Sequence, residues 1–233
     1  MTADRLIVAL DFTDSAEALA MAKRLRGLVR TLKIGSALFT ACGPRVIEQV
    51  QALGFDVMLD LKFFDIPSTV ELSCRAAAAQ QVALLTVHAA GGPAMLKAAV
   101  RGARDASRRL RLKRPRILGV TVLTSVGGDA SGKVRSRVLT LAQDARRAGC
   151  DGIVASAREA AWLRKRFRAT LDLVCPGIRP ASASKGDQQR VATPAAALAA
   201  GADWLVVGRP ITAARNPRAA ARAILREMEG TRC

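Results

Sequence analysis

Aromatic residues are scarce in this chain. Phe, Trp and Tyr together make up 3% of it, and Tyr is absent. Recognition of single strands and of RNA leans on aromatic stacking platforms, so that mode of binding is hard to build here. Ligand patterns for metals are missing too. The five cysteines (Cys42, Cys74, Cys150, Cys175, Cys233) are odd in number and scattered, and none forms a C-x-x-C pair. That argues against a zinc framework and against a disulfide scaffold, and it fits a reducing compartment. No apolar run approaches the roughly 20 residues of a membrane span. Met1-Thr2-Ala3-Asp4-Arg5 leads directly into an apolar strand, without the basic, apolar and cleavage regions of a signal peptide. A cytoplasmic protein without membrane association is the expectation.

Positive charge is abundant. There are 37 Lys and Arg against 19 Asp and Glu, a formal net charge of +18. One cluster runs from Arg101 to Arg116 and a second from Arg158 to Arg168. Such surfaces attract anions, nucleic acid included. No helix-turn-helix, zinc-finger or RNA-recognition pattern accompanies them. The clusters read as solvated faces of Ala- and Arg-rich helices, and nucleic acid is not an expected partner.

Eight short apolar runs recur along the chain: 6–10, 31–35, 55–59, 82–87, 117–122, 152–155, 171–174 and 204–207. Between them lie segments with apolar residues at helical spacing, among them 15–28, 44–53, 68–80, 93–107, 134–148 and 157–167. Pro44, Pro93 and Pro194 suit first helical turns, and Gly54, Gly149 and Gly201 suit positions just past helix ends. Strands apolar on both faces, alternating with helices, indicate a parallel sheet covered by helices. Eight such units in 233 residues fit an α/β chain folded as a closed (β/α)8 TIM barrel, one catalytic domain over 1–233. An open doubly wound sheet is the alternative. It lacks its G-x-G-x-x-G after the first strand, where the chain reads Leu10-Asp11-Phe12-Thr13.

The most informative stretch is Leu59-Asp60-Leu61-Lys62-Phe63-Phe64-Asp65-Ile66-Pro67. It sets two carboxylates and an ammonium within six positions at the end of a buried strand. A period of two puts Asp60 and Lys62 on one side. Charges in such a place must pair or act on a ligand. A structural ion pair would explain the spacing alone. The other polar residues at strand ends favour a site instead. Asp11 ends the first strand, Lys33 lies in the second, His88 ends the fourth, Thr124 follows the fifth, and Gly177 and Gly208-Arg209 follow the last two. A barrel gathers all of these at its C-terminal mouth, where barrel enzymes hold their active sites. His88 and the Cys175 thiol read as packing residues.

These residues carry a resemblance. Val8-Ala9-Leu10-Asp11, Leu32-Lys33-Ile34-Gly35, the segment 60–67, Thr86-Val87-His88-Ala89, Val120 to Ser125, Pro176-Gly177-Ile178-Arg179-Pro180, Asp187-Gln188 and Val207-Gly208-Arg209-Pro210 resemble the orotidine 5'-phosphate decarboxylase family from about Leu6 to Pro217. D-x-K-x-x-D alone is shared with phosphosugar decarboxylases and aldol-type synthases; the Ile-Pro continuation, Lys33, the G-I-R-P loop and the final G-R narrow it. Ser68 stands where Asn is common in the family.

The resemblance implies decarboxylation of orotidine 5'-phosphate to uridine 5'-phosphate in pyrimidine biosynthesis, with no cofactor and no metal. It implies a catalytic array of Lys33, Asp60, Lys62 and Asp65, with Lys62 protonating pyrimidine C6 and Asp65 entering the site of a homodimeric partner. It assigns Asp11 and Lys33, with the partner's Asp65 and the partner's Thr69, to the ribose and Thr124 to the pyrimidine edge. Arg179, Gln188, Gly208 and Arg209 would hold the phosphate, and the segment 177–190 reads as a closing lid.

Overall fold

The structure is a computed structural model that describes residues 2–123, 132–180 and 192–230. Within them, eight parallel strands close on themselves in chain order. They are β1 (Leu6–Leu10), β2 (Thr31–Gly35), β3 (Asp56–Phe63), β4 (Leu84–His88), β5 (Arg116–Val120), β6 (Gly152–Val154), β7 (Asp172–Cys175) and β8 (Trp204–Val207). β8 returns to β1, with Ile7 opposite Val206. The covering helices are α1 (Ser15–Leu25), α2 (Ser36–Cys42), α3 (Arg45–Ala52), α4 (Pro67–Ala79), α5 (Gly92–Leu110), α6 (Gly132–Ala148), α7 (Ala157–Phe167), α8 (Pro194–Ala199), α9 (Arg209–Thr212) and α10 (Pro217–Glu229). The expected (β/α)8 barrel is the observed fold.

Alternation along the strands divides the core in two. Ile7, Ala9, Met58, Leu84, Leu118, Val174 and Val206 fill the barrel interior. Leu6, Val8, Leu10, Leu32, Ile34, Val57 and Leu59 face outward onto the helices. Lys33 lies level with Ala9 and Met58, so a lysine occupies a rung of the interior layer. Among the described residues no helix is long and apolar enough to cross a membrane.

Most element ends follow the sequence signals. Asp14 caps α1 by accepting from the Glu17 N–H at 2.9 Å, and Ser156 with Glu159 forms a capping box on α7. Two ends differ for local reasons. α1 stops at Leu25 rather than Leu28, because Gly27 turns the chain at φ 76°. α5 runs on to Leu110 because Arg111, not a glycine, takes the left-handed cap at φ 55°. β3 also extends four residues beyond the expected Leu59, and this matters for the site.

Part of the positive charge is structural. At the N-terminal ends of the strands, opposite the mouth, Arg114 pairs with Asp151, Arg116 with Asp172, and Arg164 with Asp203. Asp151 also accepts the Ile117 N–H at 2.8 Å, and Asp203 accepts the Leu173 N–H at 2.7 Å. These carboxylates tie one βα unit to the next. Arginines also lie over the rings of Trp204, Trp162 and Phe167, so these aromatic faces serve the fold. Asp151→Ala should strand both Arg114 and the Ile117 N–H, lowering unfolding free energy by about 2 kcal/mol with turnover unchanged. Urea unfolding measures this; an unaltered midpoint would show that the belt contributes nothing.

Candidate active site

The mouth of the barrel is built from the C-terminal ends of β1, β2 and β3. Lys33 reaches up from the interior and donates to Asp11 Oδ1 at 2.8 Å. Its ammonium also lies 3.5 Å from Asp60 Oδ2. Lys62 donates to that same Asp60 oxygen at 2.9 Å. The order Asp11, Lys33, Asp60, Lys62 thus alternates in sign along a continuous chain of contacts. Gly35 makes room for it, since a Cβ there would lie 3.0 Å from Lys33 Nζ and 3.3 Å from Asp11 Oδ1.

Burial divides the roles of the two lysines. The side chain of Lys33 is 11% exposed and that of Lys62 is 39% exposed, so Lys62 is the ammonium open to a ligand. Burial pushes the Asp60 carboxyl up, but Lys33, Lys62 and the Thr86 hydroxyl together hold it below the ordinary carboxylate value. Asp60 is therefore ionised at neutral pH. Because its folded value is depressed, its contribution to stability is full above the ordinary carboxylate range. That contribution is lost as pH falls through the depressed value.

β3 does more here than a regular strand. Its register against β4 moves from Leu59 opposite Leu85 to Phe63 opposite Val87, four residues against two. Within this bulge Lys62 takes φ 50°, a left-handed conformation that non-glycine residues seldom adopt. Thr86, fully buried on β4, donates to Asp60 Oδ1 at 2.9 Å and accepts the Lys62 N–H at 3.0 Å. No spacing pattern singles out Thr86. Its signal was a hydroxyl in an apolar strand, two residues before His88 and so on the same inward face.

The charged array forms one wall of a cleft of about 270 Å³. Val120, Val122, Leu123, Val154 and Val206 offer an apolar surface to the same space. Gly177, Arg179, Gly208 and Arg209 line the same cleft, and a Cβ at Gly208 would lie 3.6 Å from Asp11 Oδ2. Burial and the neighbouring Arg209 both push the Arg179 guanidinium below its ordinary value, the environment of two cations gathered around one space.

Asp65 and Thr69 lie elsewhere. Both are exposed at the start of α4, and Asp65 accepts its neighbour Ile66 N–H at 2.6 Å. Among the described residues Asp65 forms no ion pair within its own chain. Thr124, Gln188 and most of the lid segment lie outside the described residues.

His88 accepts the Ala90 N–H at 3.3 Å and has its ring 5.4 Å from that of Phe64. Burial, then Lys62 and Arg137, lower its value, so its neutral form is favoured. As the single histidine of the chain, its ring resonance should titrate below the ordinary histidine range. The stability gained from the neutral ring should be lost as pH falls through that lowered midpoint. An ordinary or raised midpoint would contradict this placement. The Cys175 thiol is buried and pushed up to about 12, which favours the neutral thiol over the thiolate at neutral pH.

The model of the Orotidine 5'-phosphate decarboxylase / HUMPS family matches residues 4–224. The chain belongs to this family. It is 50% identical over 230 residues to the orotidine 5'-phosphate decarboxylase of Halorhodospira halophila, covering 96% of this chain and 95% of that one. It is 46% identical over 233 residues to that of Moorella thermoacetica, covering 97% and 92%. Among solved structures, orotidine 5'-phosphate decarboxylase from Lactobacillus acidophilus superposes with a TM-score of 0.83 at 34% identity, covering 97% of this chain and 99% of that one. Membership agrees with what the mouth already displays, namely a charged array, an apolar surface and two arginines lining one cleft.

Proposed function

We propose that this chain decarboxylates orotidine 5'-phosphate to uridine 5'-phosphate and carbon dioxide, with Lys62 as the proton donor to C6. The observation that carries the reading is the exposed Lys62 ammonium held at 2.9 Å from the buried, ionised Asp60. The bond between C6 and the carboxylate breaks, its electron pair remains on C6, and carbon dioxide leaves. The Lys62 ammonium stabilises that developing charge and then transfers a proton to it, to be reprotonated from solvent. Asp60 lies where the substrate carboxylate would approach, so its repulsion is relieved as carbon dioxide departs. Lys33 and Asp11 serve the ribose and hold Asp60 in place; Arg179, Gly208 and Arg209, with Gln188, serve the phosphate. A forked guanidinium suits a phosphate dianion. Thr124 is assigned to the pyrimidine edge.

The reaction on this reading takes no metal. The Lys33 ammonium already bridges Asp11 and Asp60, the two carboxylates a divalent ion would need. The working unit is a homodimer located in the cytoplasm. Phe64, Ile66 and Leu72 are 62%, 63% and 61% exposed around Asp65 and Thr69. An apolar patch flanking two polar residues of the family pattern supports a partner covering this edge and receiving Asp65 and Thr69. Turnover in D2O tests the chemistry. The uridine 5'-phosphate formed should carry deuterium at C6, and protium at that carbon would contradict protonation by an exchangeable ammonium.

A further inference from the structure

We propose that Thr86 is a positioning residue for this decarboxylation, its hydroxyl holding the β3 bulge that presents Lys62 to the substrate. The inference rests on the functional reading above and concerns a residue one strand away from the reacting atoms.

Three observations converge. First, β3 carries two more residues than β4 between their matched pairs, Leu59 with Leu85 and Phe63 with Val87. Such a bulge interrupts the ladder and leaves a backbone donor in need of another acceptor. The Lys62 N–H finds that acceptor in the Thr86 hydroxyl at 3.0 Å. Second, Lys62 is held at φ 50°, a conformation that persists only where its surroundings impose it. Third, Thr86 is fully buried, and its other contact is Asp60 Oδ1 at 2.9 Å.

The direction of the hydrogen bonds follows from chemistry. A backbone N–H can only donate, so the Thr86 oxygen accepts from Lys62 and its own proton must point to Asp60. Asp60 Oδ1 must then be an acceptor, which fits the carboxylate form. Its other oxygen is left to the two ammoniums, Lys33 at 3.5 Å and Lys62 at 2.9 Å. One hydroxyl thereby fixes the backbone of the proton donor and the rotation of the carboxylate beside it. Misplacing a reacting group by about 1 Å can reduce rate on the order of a hundredfold.

The test compares Thr86→Val, which replaces the hydroxyl by a methyl of similar shape, with Thr86→Ser, which keeps it. Wild type is assayed beside them, and active sites are counted by calorimetric titration with uridine 5'-phosphate. Per competent site, Thr86→Val should lose roughly a hundredfold in kcat with KM within about threefold. Thr86→Ser should stay within about tenfold of wild type. A Thr86→Val kcat near that of wild type, or equal losses in both variants, would overturn the proposal. So would a loss accounted for by fewer product-binding sites, since that is what a purely structural role gives. Should Thr86→Val not fold, Thr86→Ala is read in the same way; failure of both to bind product would assign the hydroxyl to folding and also overturn it. An inactive wild type would instead refute the functional reading itself.

Discussion

Replacing Lys62 by alanine should abolish decarboxylation, with kcat falling by at least about 10⁴, while uridine 5'-phosphate still binds within about tenfold of wild type. Two losses combine. The proton donor to C6 disappears, and so does the cation that offsets charge accumulating there. The product has no charge at C6, so its affinity draws on the ribose and phosphate contacts instead. The ion pair removed is partly exposed on the Lys62 side, and Asp60 keeps Lys33 and the Thr86 hydroxyl. The fold should therefore survive. Single-turnover measurement beside product titration separates the effects. Activity within about a hundredfold of wild type would remove Lys62 from its assigned role.

Complementation should give the second large effect. Lys33→Ala and Asp65→Ala should each be nearly inactive alone. Loss of Lys33 takes one of two cations from the buried Asp60 and the partner from the more exposed Asp11. In the proposed homodimer, loss of Asp65 removes the carboxylate that the partner's site would receive. When equal amounts exchange subunits, half of the dimers are mixed and each has one site with both residues intact, so about a quarter of wild-type activity should return. Gel filtration with differently tagged subunits verifies exchange. Exchange without recovery would show that Asp65 works within its own chain, and a monomeric wild type would remove the shared site altogether.

The fold was legible because eight apolar runs and the amphipathic segments between them need only alternation and period to be read. Asp11, Lys33, Asp60 and Lys62 were legible for a related reason: charges at the ends of buried strands have few alternatives to a ligand site, and barrel closure gathers strand ends. The structure places these four in direct contact. Arg179, Gly208 and Arg209 came from their loops and the family pattern, and they line the same cleft. What the pattern hid was geometry across strands. The β3 bulge has no glycine or proline to announce it, and Lys62 itself bears the left-handed conformation. Thr86 acts on atoms 24 and 26 residues away, and no spacing rule connects residue 86 to residue 60. Most of the clustered arginines, such as Arg104, Arg108 and Arg109, do lie on exposed helix faces. Arg114, Arg116 and Arg164 are the exceptions: they bind carboxylates beneath the strands, pairs visible only once the barrel is closed.

The most direct test is the loss of orotidine 5'-phosphate absorbance on addition of the purified protein in the presence of EDTA. The account predicts rapid turnover with one uridine 5'-phosphate released per substrate consumed, unaffected by the chelator. No turnover by the folded protein, or turnover of a phosphosugar that appears only with magnesium, would contradict it.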